Sequence, residues 1–257
     1  MGHDKLRKFA ENETFRCLLQ PGSGEVLVSS QEPGLHLKDH PVKGNWCSRM
    51  FDAPRPVVLE LGCGKGDYTI ALALKHPEFN YIGVDIKGAR LWKGAKYATE
   101  NSLGNVAFLR TRIEFLEAFF APGEISQIWL TFSDPQMKSE NSRLTSPLFL
   151  ERYRSVMARG GVVHLKTDSR FLHEYTRAVA EANHLDIIAS SIDIYNEASR
   201  EGFPDELLTV QTFYEKMFLQ MGLPITYLSF VIDHEGRYIY PEFDPVFWRE
   251  FEKERRG

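Results

Sequence analysis

The 257-residue chain has no run of about eighteen apolar side chains, so no segment is expected to cross a membrane as a helix. Its opening stretch, MGHDKLRKFAENETF, lacks the apolar core of a secretory signal. Leu6 stands where a myristoylation signal requires Ser or Thr. Cysteine is scarce. The three present, Cys17, Cys47 and Cys63, are odd in number and far apart, which suits neither a disulfide framework nor a zinc site. They are expected to be reduced thiols of a cytoplasmic protein that holds no metal. An excess of positive charge is also missing. A net charge of −4 argues against a surface that grips nucleic acid all over. Local basic groups remain, namely Lys5, Arg7 and Lys8, then Lys87, Arg90, Lys93 and Lys96; composition alone reads the second group as a solvated helix face.

Hydrophobic residues make up 43% and charged residues 26%, the composition of an ordinary globular protein. From about residue 56, short apolar runs alternate with longer amphipathic stretches. PVVLELG, YIGVD, VAFLR, QIWLTF and VVHLK read as strands, while DYTIALALKH and ARLWKGAKYATEN read as helices between them. Such alternation predicts an α/β fold with a mostly parallel, doubly wound sheet. After Lys166 the rhythm changes. A helix over 171–183 precedes LDIIASSIDIY and ITYLSFVI, two strand-like runs that would end the sheet in a hairpin. The economical division is an N-terminal extension over 1–50, loop-rich and mobile in part, and a single domain over 51–257. The sequence carries no internal repeat and no low-complexity tract.

The sharpest local signal is Glu60-Leu-Gly62-Cys-Gly64-Lys-Gly66, where the first long strand gives way to a helix. Glycines allow a tight turn there and let a ligand approach the backbone. Dinucleotide sites space these glycines as GxGxxG and hold pyrophosphate at the helix N-terminus. Here the spacing is GxGxG, an acid precedes it, and Asp67 stands where the third dinucleotide glycine would be. A carboxylate at that position suits a cationic ligand better than a phosphate. Asp85 ends the next strand, where an acid accepts hydrogen bonds from ribose hydroxyls; the alternative for it is a helix N-cap. Cys63 reads as a small residue beneath the turn.

Two further motifs fall after strands. FSDPQMK places Asp134 beyond a strand's carboxyl end, where open α/β sheets bind ligands, although an Asp-Pro turn alone would explain it. HLKTD places Asp168 on the same rim. Thr212-Phe-Tyr-Glu215 has the form of a helix capping box.

In series, ELGCGKG, GVDIKGAR, FSDPQMK, HLKTD and TFYEK resemble the bacterial tRNA (guanine-N7-)-methyltransferase family, the TrmB type, over about residues 57–232. That resemblance implies a class I, Rossmann-like methyltransferase fold and S-adenosylmethionine as cofactor. It implies tRNA as partner and N7-methylguanosine at the variable-loop position 46 as product. By the same resemblance Glu60, Gly62, Gly64, Asp85 and Asp134 bind cofactor, with Asp134 also bordering the catalytic centre, and Lys138, Asp168, Thr212 and Glu215 hold the guanine. The alternative is a class I enzyme acting on another RNA or on a small molecule.

Two departures stand out. The family reads Asp-Pro-Trp-Pro-Lys followed by a dense basic run, whereas this chain has Gln136 and Met137, then SENSR, leaving only Lys138 and Arg143. The acid expected near the adenine aligns with Arg112, and Glu114 lies two residues on.

Overall fold

A computed structural model describes the chain from residue 3 to residue 256. The chain divides into two units that meet in sequence between Ser126 and Gln127.

The first unit runs α1 (His3–Asn12), β1 (Leu18–Leu19), α2 (Trp46–Arg49), β2 (Val57–Leu61), α3 (Asp67–Lys75), β3 (Asn80–Asp85), α4 (Gly88–Glu100), β4 (Val106–Arg110) and α5 (Leu116–Phe119). Its strands are ordered β1-β4-β3-β2, and every neighbouring pair is parallel. β2 and β3 are buried at every position, which is why their sequences are apolar throughout rather than alternating. On α4, Leu91, Ala95 and Ala98 recur at helical spacing and face inward with Gly94.

Three glycines make room for one aromatic ring. A Cβ built on Gly66, Gly83 or Gly94 would come within 2.6, 2.8 or 2.5 Å of Phe108, so β3, α4 and the turn before α3 all close onto that ring. The early residues are tied to the same elements. The side chain of Asn12 donates to the Gly88 carbonyl at 2.9 Å, the Trp92 indole donates to Glu11 at 2.6 Å, and β1 pairs with β4.

The second unit takes up β5 (Ile125–Thr131) and continues through α6 (Pro147–Val156), β6 (Met157–Thr167), α7 (Arg170–Ala182), β7 (Ile187–Ser191), α8 (Glu206–Thr209), α9 (Phe213–Gln220), β8 (Thr226–Val231) and α10 (Pro245–Arg256). The strand order is β5-β6-β8-β7, with β8 antiparallel to both neighbours. The expected terminal antiparallel pair is therefore present, but it is not a tight hairpin. Residues 192–225, with α8 and α9, lie between its strands, and β8 returns to sit between β6 and β7.

Local chemistry sets the helix starts. Pro147 opens α6, where its missing N–H costs nothing. Ser169 caps α7 by accepting from the Leu172 amide. Inside, the Trp129 and His164 rings stack with centroids 4.2 Å apart, and His164 Nδ1 lies 2.8 Å from the Tyr227 hydroxyl. Among the described residues, no helix is long and apolar enough to cross a membrane.

Candidate functional site

In the first unit the glycine turn is built almost wholly from backbone. Gly62, Gly64 and Gly66 all have left-handed φ, at 77°, 57° and 73°, a conformation that other residues adopt only with strain. The Gly62 and Cys63 amides donate to the Val84 carbonyl, which fastens the turn to the end of β3. Asp85 is 8% exposed. One of its oxygens accepts from the Gly64 amide at 3.0 Å and the other from the Lys87 amide at 2.7 Å. Asp85 organises the loop before α4 without being its N-cap, which is Lys87, and each of its oxygens keeps a second lone pair able to accept a hydroxyl. Glu60 is buried and accepts from the amide of Thr69 at 2.8 Å and from its hydroxyl.

Charged groups near the turn are paired with one another. Asp67 does not stand with an open charge, because Lys93 lies 2.7 Å from its carboxylate. Arg112 and Glu114 are paired with each other at 3.0 Å beyond β4. Cys63 is buried, and burial, together with the charges of Glu60 and Asp85, pushes its thiol well above the ordinary range, so it fills space and is no nucleophile.

The turn fits an adenosine-bearing ligand on two observations. A Cβ built on Gly62 or Gly64 meets no atom within 4 Å, so these glycines hold open the space in front of the backbone. The group beside that space is a carboxylate, an acceptor suited to ribose hydroxyls.

In the second unit, Asp134 is exposed at the head of the loop after β5 and accepts from the Gln136 amide at 2.9 Å. Phe132 and Gln136, on either side of it, both take left-handed φ, at 51° and 46°. Two non-glycine residues in that region within one loop mark a constrained backbone of the kind found at functional sites. The loop is anchored by the Phe132 amide, which donates to the Lys166 carbonyl at 2.9 Å. It is anchored again by the Phe132 ring, 6.0 Å from that of Phe218 on α9.

Asp168 follows β6, is 6% exposed, and its carbonyl accepts from Arg255 of α10. Thr212 caps α9. Its hydroxyl accepts from the Glu215 amide at 3.1 Å, and Glu215 reaches back to the Thr212 amide at 3.3 Å. The capping box is thus real, but it occupies only part of Glu215. The other carboxylate oxygen takes the Lys166 ammonium at 2.7 Å and the Tyr195 hydroxyl at 2.8 Å, with Lys166 and Glu215 both wholly buried.

Arg143 is a correction. It is 3% exposed, its guanidinium lies 4.4 Å from the Tyr175 ring centroid and 4.8 Å from that of Phe171, and it donates to the Met137 carbonyl. Desolvation lowers its pKa. It therefore holds the loop from inside, and of the two cations expected there only Lys138 is exposed.

The basic groups of α1 and α4 converge on Trp92, with Arg7, Lys8 and Lys96 each within 5.2 Å of its ring. Three of the cations on these helices also have acidic partners: Arg7 with Glu11, Lys93 with Asp67 and Lys96 with Glu100.

Residues 54–228 match the family model described as "Putative methyltransferase". The tRNA (guanine-N(7)-)-methyltransferase of Christiangramia forsetii is 47% identical over 232 residues, 89% of this chain and 98% of that protein. The protein of the same name from Porphyromonas gingivalis is 45% identical over 90% of this chain and 93% of its own. This chain belongs to the tRNA (guanine-N7-)-methyltransferase family. Among solved structures, the 16S rRNA methyltransferase KamB aligns with a TM-score of 0.55 at 16% identity, covering 81% of this chain and 99% of its own. At that identity the likeness speaks for the fold, a class I methyltransferase fold.

Within the family frame, sequence reasoning passed over three residues. Lys166 and Tyr195 complete the surroundings of Glu215, and Phe108 fills the socket beneath the glycine turn. Lys166 had left a signal, because a lysine near the end of an apolar strand is out of pattern unless it is paired.

Proposed function

We propose that this chain transfers a methyl group from S-adenosylmethionine to N7 of a guanine in tRNA, the variable-loop guanosine at position 46, in the cytoplasm. What carries the reading is identity of 41–47% to relatives of that name over nearly their whole length. Glu60, Gly62, Gly64 and Asp85 are its cofactor residues, Asp134 serves cofactor and reaction centre, and Lys138, Asp168, Thr212 and Glu215 serve the guanine. When bound, the cofactor supplies an electrophilic methyl group on a sulfonium.

The chemistry asks little of the protein beyond placement. Guanine N7 presents a lone pair and has no proton to lose, so no general base is needed and positioning supplies the rate. The purine becomes cationic as the bond forms, and the carboxylates of Asp134 and Asp168 favour that charge. A carboxylate also accepts from guanine N1–H and N2–H, a pairing that adenine does not offer. The base must be splayed from its stack to be reached.

The test is to incubate the protein with tRNA and labelled cofactor and map the methylated nucleotide. Label at N7 of the variable-loop guanosine is expected; label on another base, or none in tRNA, overturns the reading. Asp134→Asn and Asp168→Ala should each cut turnover by about a hundredfold, the scale of removing one group that stabilises developing charge. Parent rates in both folded variants would place the pocket elsewhere.

A further inference from the structure

Three sequence motifs are far apart in the chain, and one residue touches all three. The Lys166 carbonyl accepts from the Phe132 amide, which begins the Asp134 loop. Its ammonium donates to the Leu207 carbonyl at 2.6 Å and the Val210 carbonyl at 3.0 Å, and pairs with Glu215 at 2.7 Å. Asp168 lies two residues further along the same strand end. The ammonium has three protons, and these three acceptors all lie in one segment, 207–215.

A merely structural salt bridge would not need this arrangement. A buried ion pair is weak evidence for stability, because apolar side chains of similar volume do as well or better. What it does supply is register. The carbonyls of Leu207 and Val210 close the end of α8 and the turn into α9, so the ammonium fixes where Thr212 and Glu215 stand relative to Asp168. Tyr195 braces the same carboxylate from the other side, and Gln211 in turn donates to the Tyr195 hydroxyl at 2.8 Å. Burial drives the lysine pKa down, and Glu215 and then Glu206 act against that.

We propose that Lys166 is a positioning residue for methyl transfer, registering the Asp134 loop, Asp168 and the Thr212–Glu215 turn on one strand end. The inference rests on the function proposed above and assigns a role that none of the guanine or cofactor residues plays. Lys166 is wholly buried, so its role is exercised through the residues it holds.

Two variants, each checked for folding by circular dichroism, disturb the register. Lys166→Arg retains the charge beside Glu215 but replaces a compact three-proton donor with a planar fork. Tyr195→Phe removes one brace of the carboxylate. Steady-state methylation of tRNA is measured for both, with amide hydrogen exchange over 205–216. The expected result is a fall in kcat of tenfold or more for Lys166→Arg and about threefold for Tyr195→Phe. The KM for cofactor should stay within twofold, and exchange over 205–216 should be faster. Parent kcat in Lys166→Arg despite loosened exchange overturns the proposal, as does unchanged exchange with unchanged kcat. If the parent protein leaves tRNA unlabelled while Lys166→Arg still loosens 205–216, the functional reading has failed and the positioning role falls with it, although the register role of the ammonium stands.

Discussion

At the glycine turn, backbone amides meet the Asp85 carboxylate, glycines supply the curvature, and the geometry is set by three left-handed residues and the ring of Phe108. At the end of β6, side chains meet side chains, and a wholly buried lysine carries the arrangement. The first construction is stiff because few residue types can adopt it. The second is exact in register only while its charges balance. The difference predicts opposite vulnerabilities: the turn should fail by crowding and the hub by loss of a partner.

The largest effect expected follows from that contrast. Lys166→Met leaves Glu215 buried without its counter-charge, which costs about 3–5 kcal/mol for pairs of this kind. Denaturant unfolding would measure it. Adding Glu215→Gln should return a substantial part of the loss, because the uncompensated charge is then gone. A single variant as stable as the parent would show that water reaches the pair and that the hub is looser than its distances.

Most of the fold can be read from the sequence because parallel strands buried on both faces spell themselves out. VAFLR becomes β4 residue for residue, and β2, β3, α3, α4 and α7 lie within a residue or two of their apolar patterns. The glycine turn was legible for the same reason, since glycine spacing is a local property. The return of β8 between β6 and β7 was not, because an antiparallel pairing across a long connection leaves no mark on local periodicity. Nor was the fate of Arg143, since a cation in a polar run looks exposed until aromatic rings close over it. Thr212 and Glu215 show the limit most clearly. Their spacing announced a capping box, which the structure contains, but the partners of Glu215 come from Lys166 and Tyr195, neither of which the motif names.

A second prediction sharpens the comparison through pH. The hub's unit contains two buried histidines whose pKa values burial depresses, His164 to about 3 and His173 to about 4. Their folded forms resist protonation more than the unfolded chain does. Stability is therefore complete above the unfolded value near 6.5 and falls as pH drops below it, for His173 down to about 4 and for His164 down to about 3. Each contributes a slope approaching about 1.4 kcal/mol per pH unit in that window. Replacing both with Gln should flatten the profile of unfolding free energy between pH 6.5 and 5. A profile of the same slope would assign the acid sensitivity to other groups.

At the turn, Asp85→Ala should weaken binding of S-adenosylmethionine or its demethylated product by about 1.5–3 kcal/mol, the scale of hydrogen bonds to a charged group. Calorimetric titration gives the number. Because Asp85 also takes the Gly64 and Lys87 amides, Asp85→Asn is the gentler comparison: it keeps an acceptor and should lose less. Equal affinity in a folded Asp85→Ala protein would remove Asp85 from the cofactor site.

The smallest effect per substitution concerns how an acidic protein holds RNA. Phosphate contacts dominate such binding and release counterions, so tRNA affinity should fall steeply with salt despite the net charge of −4. Arg143 is withdrawn into the loop's interior, and Lys138 alone cannot supply that attraction. The α1 and α4 cations around Trp92 are the most concentrated alternative, although their pairing with Glu11, Asp67 and Glu100 offsets part of their field. Two paired reversals separate the helices: Arg7→Glu with Lys8→Glu, and Lys93→Glu with Lys96→Glu. Each lost phosphate contact should reduce the slope of log affinity against log salt by about 1. Pairing should keep each double variant's reduction below two full contacts. An unchanged slope in both would mean that the phosphates lie on another face, and that the cluster serves only to pack α1 on α4.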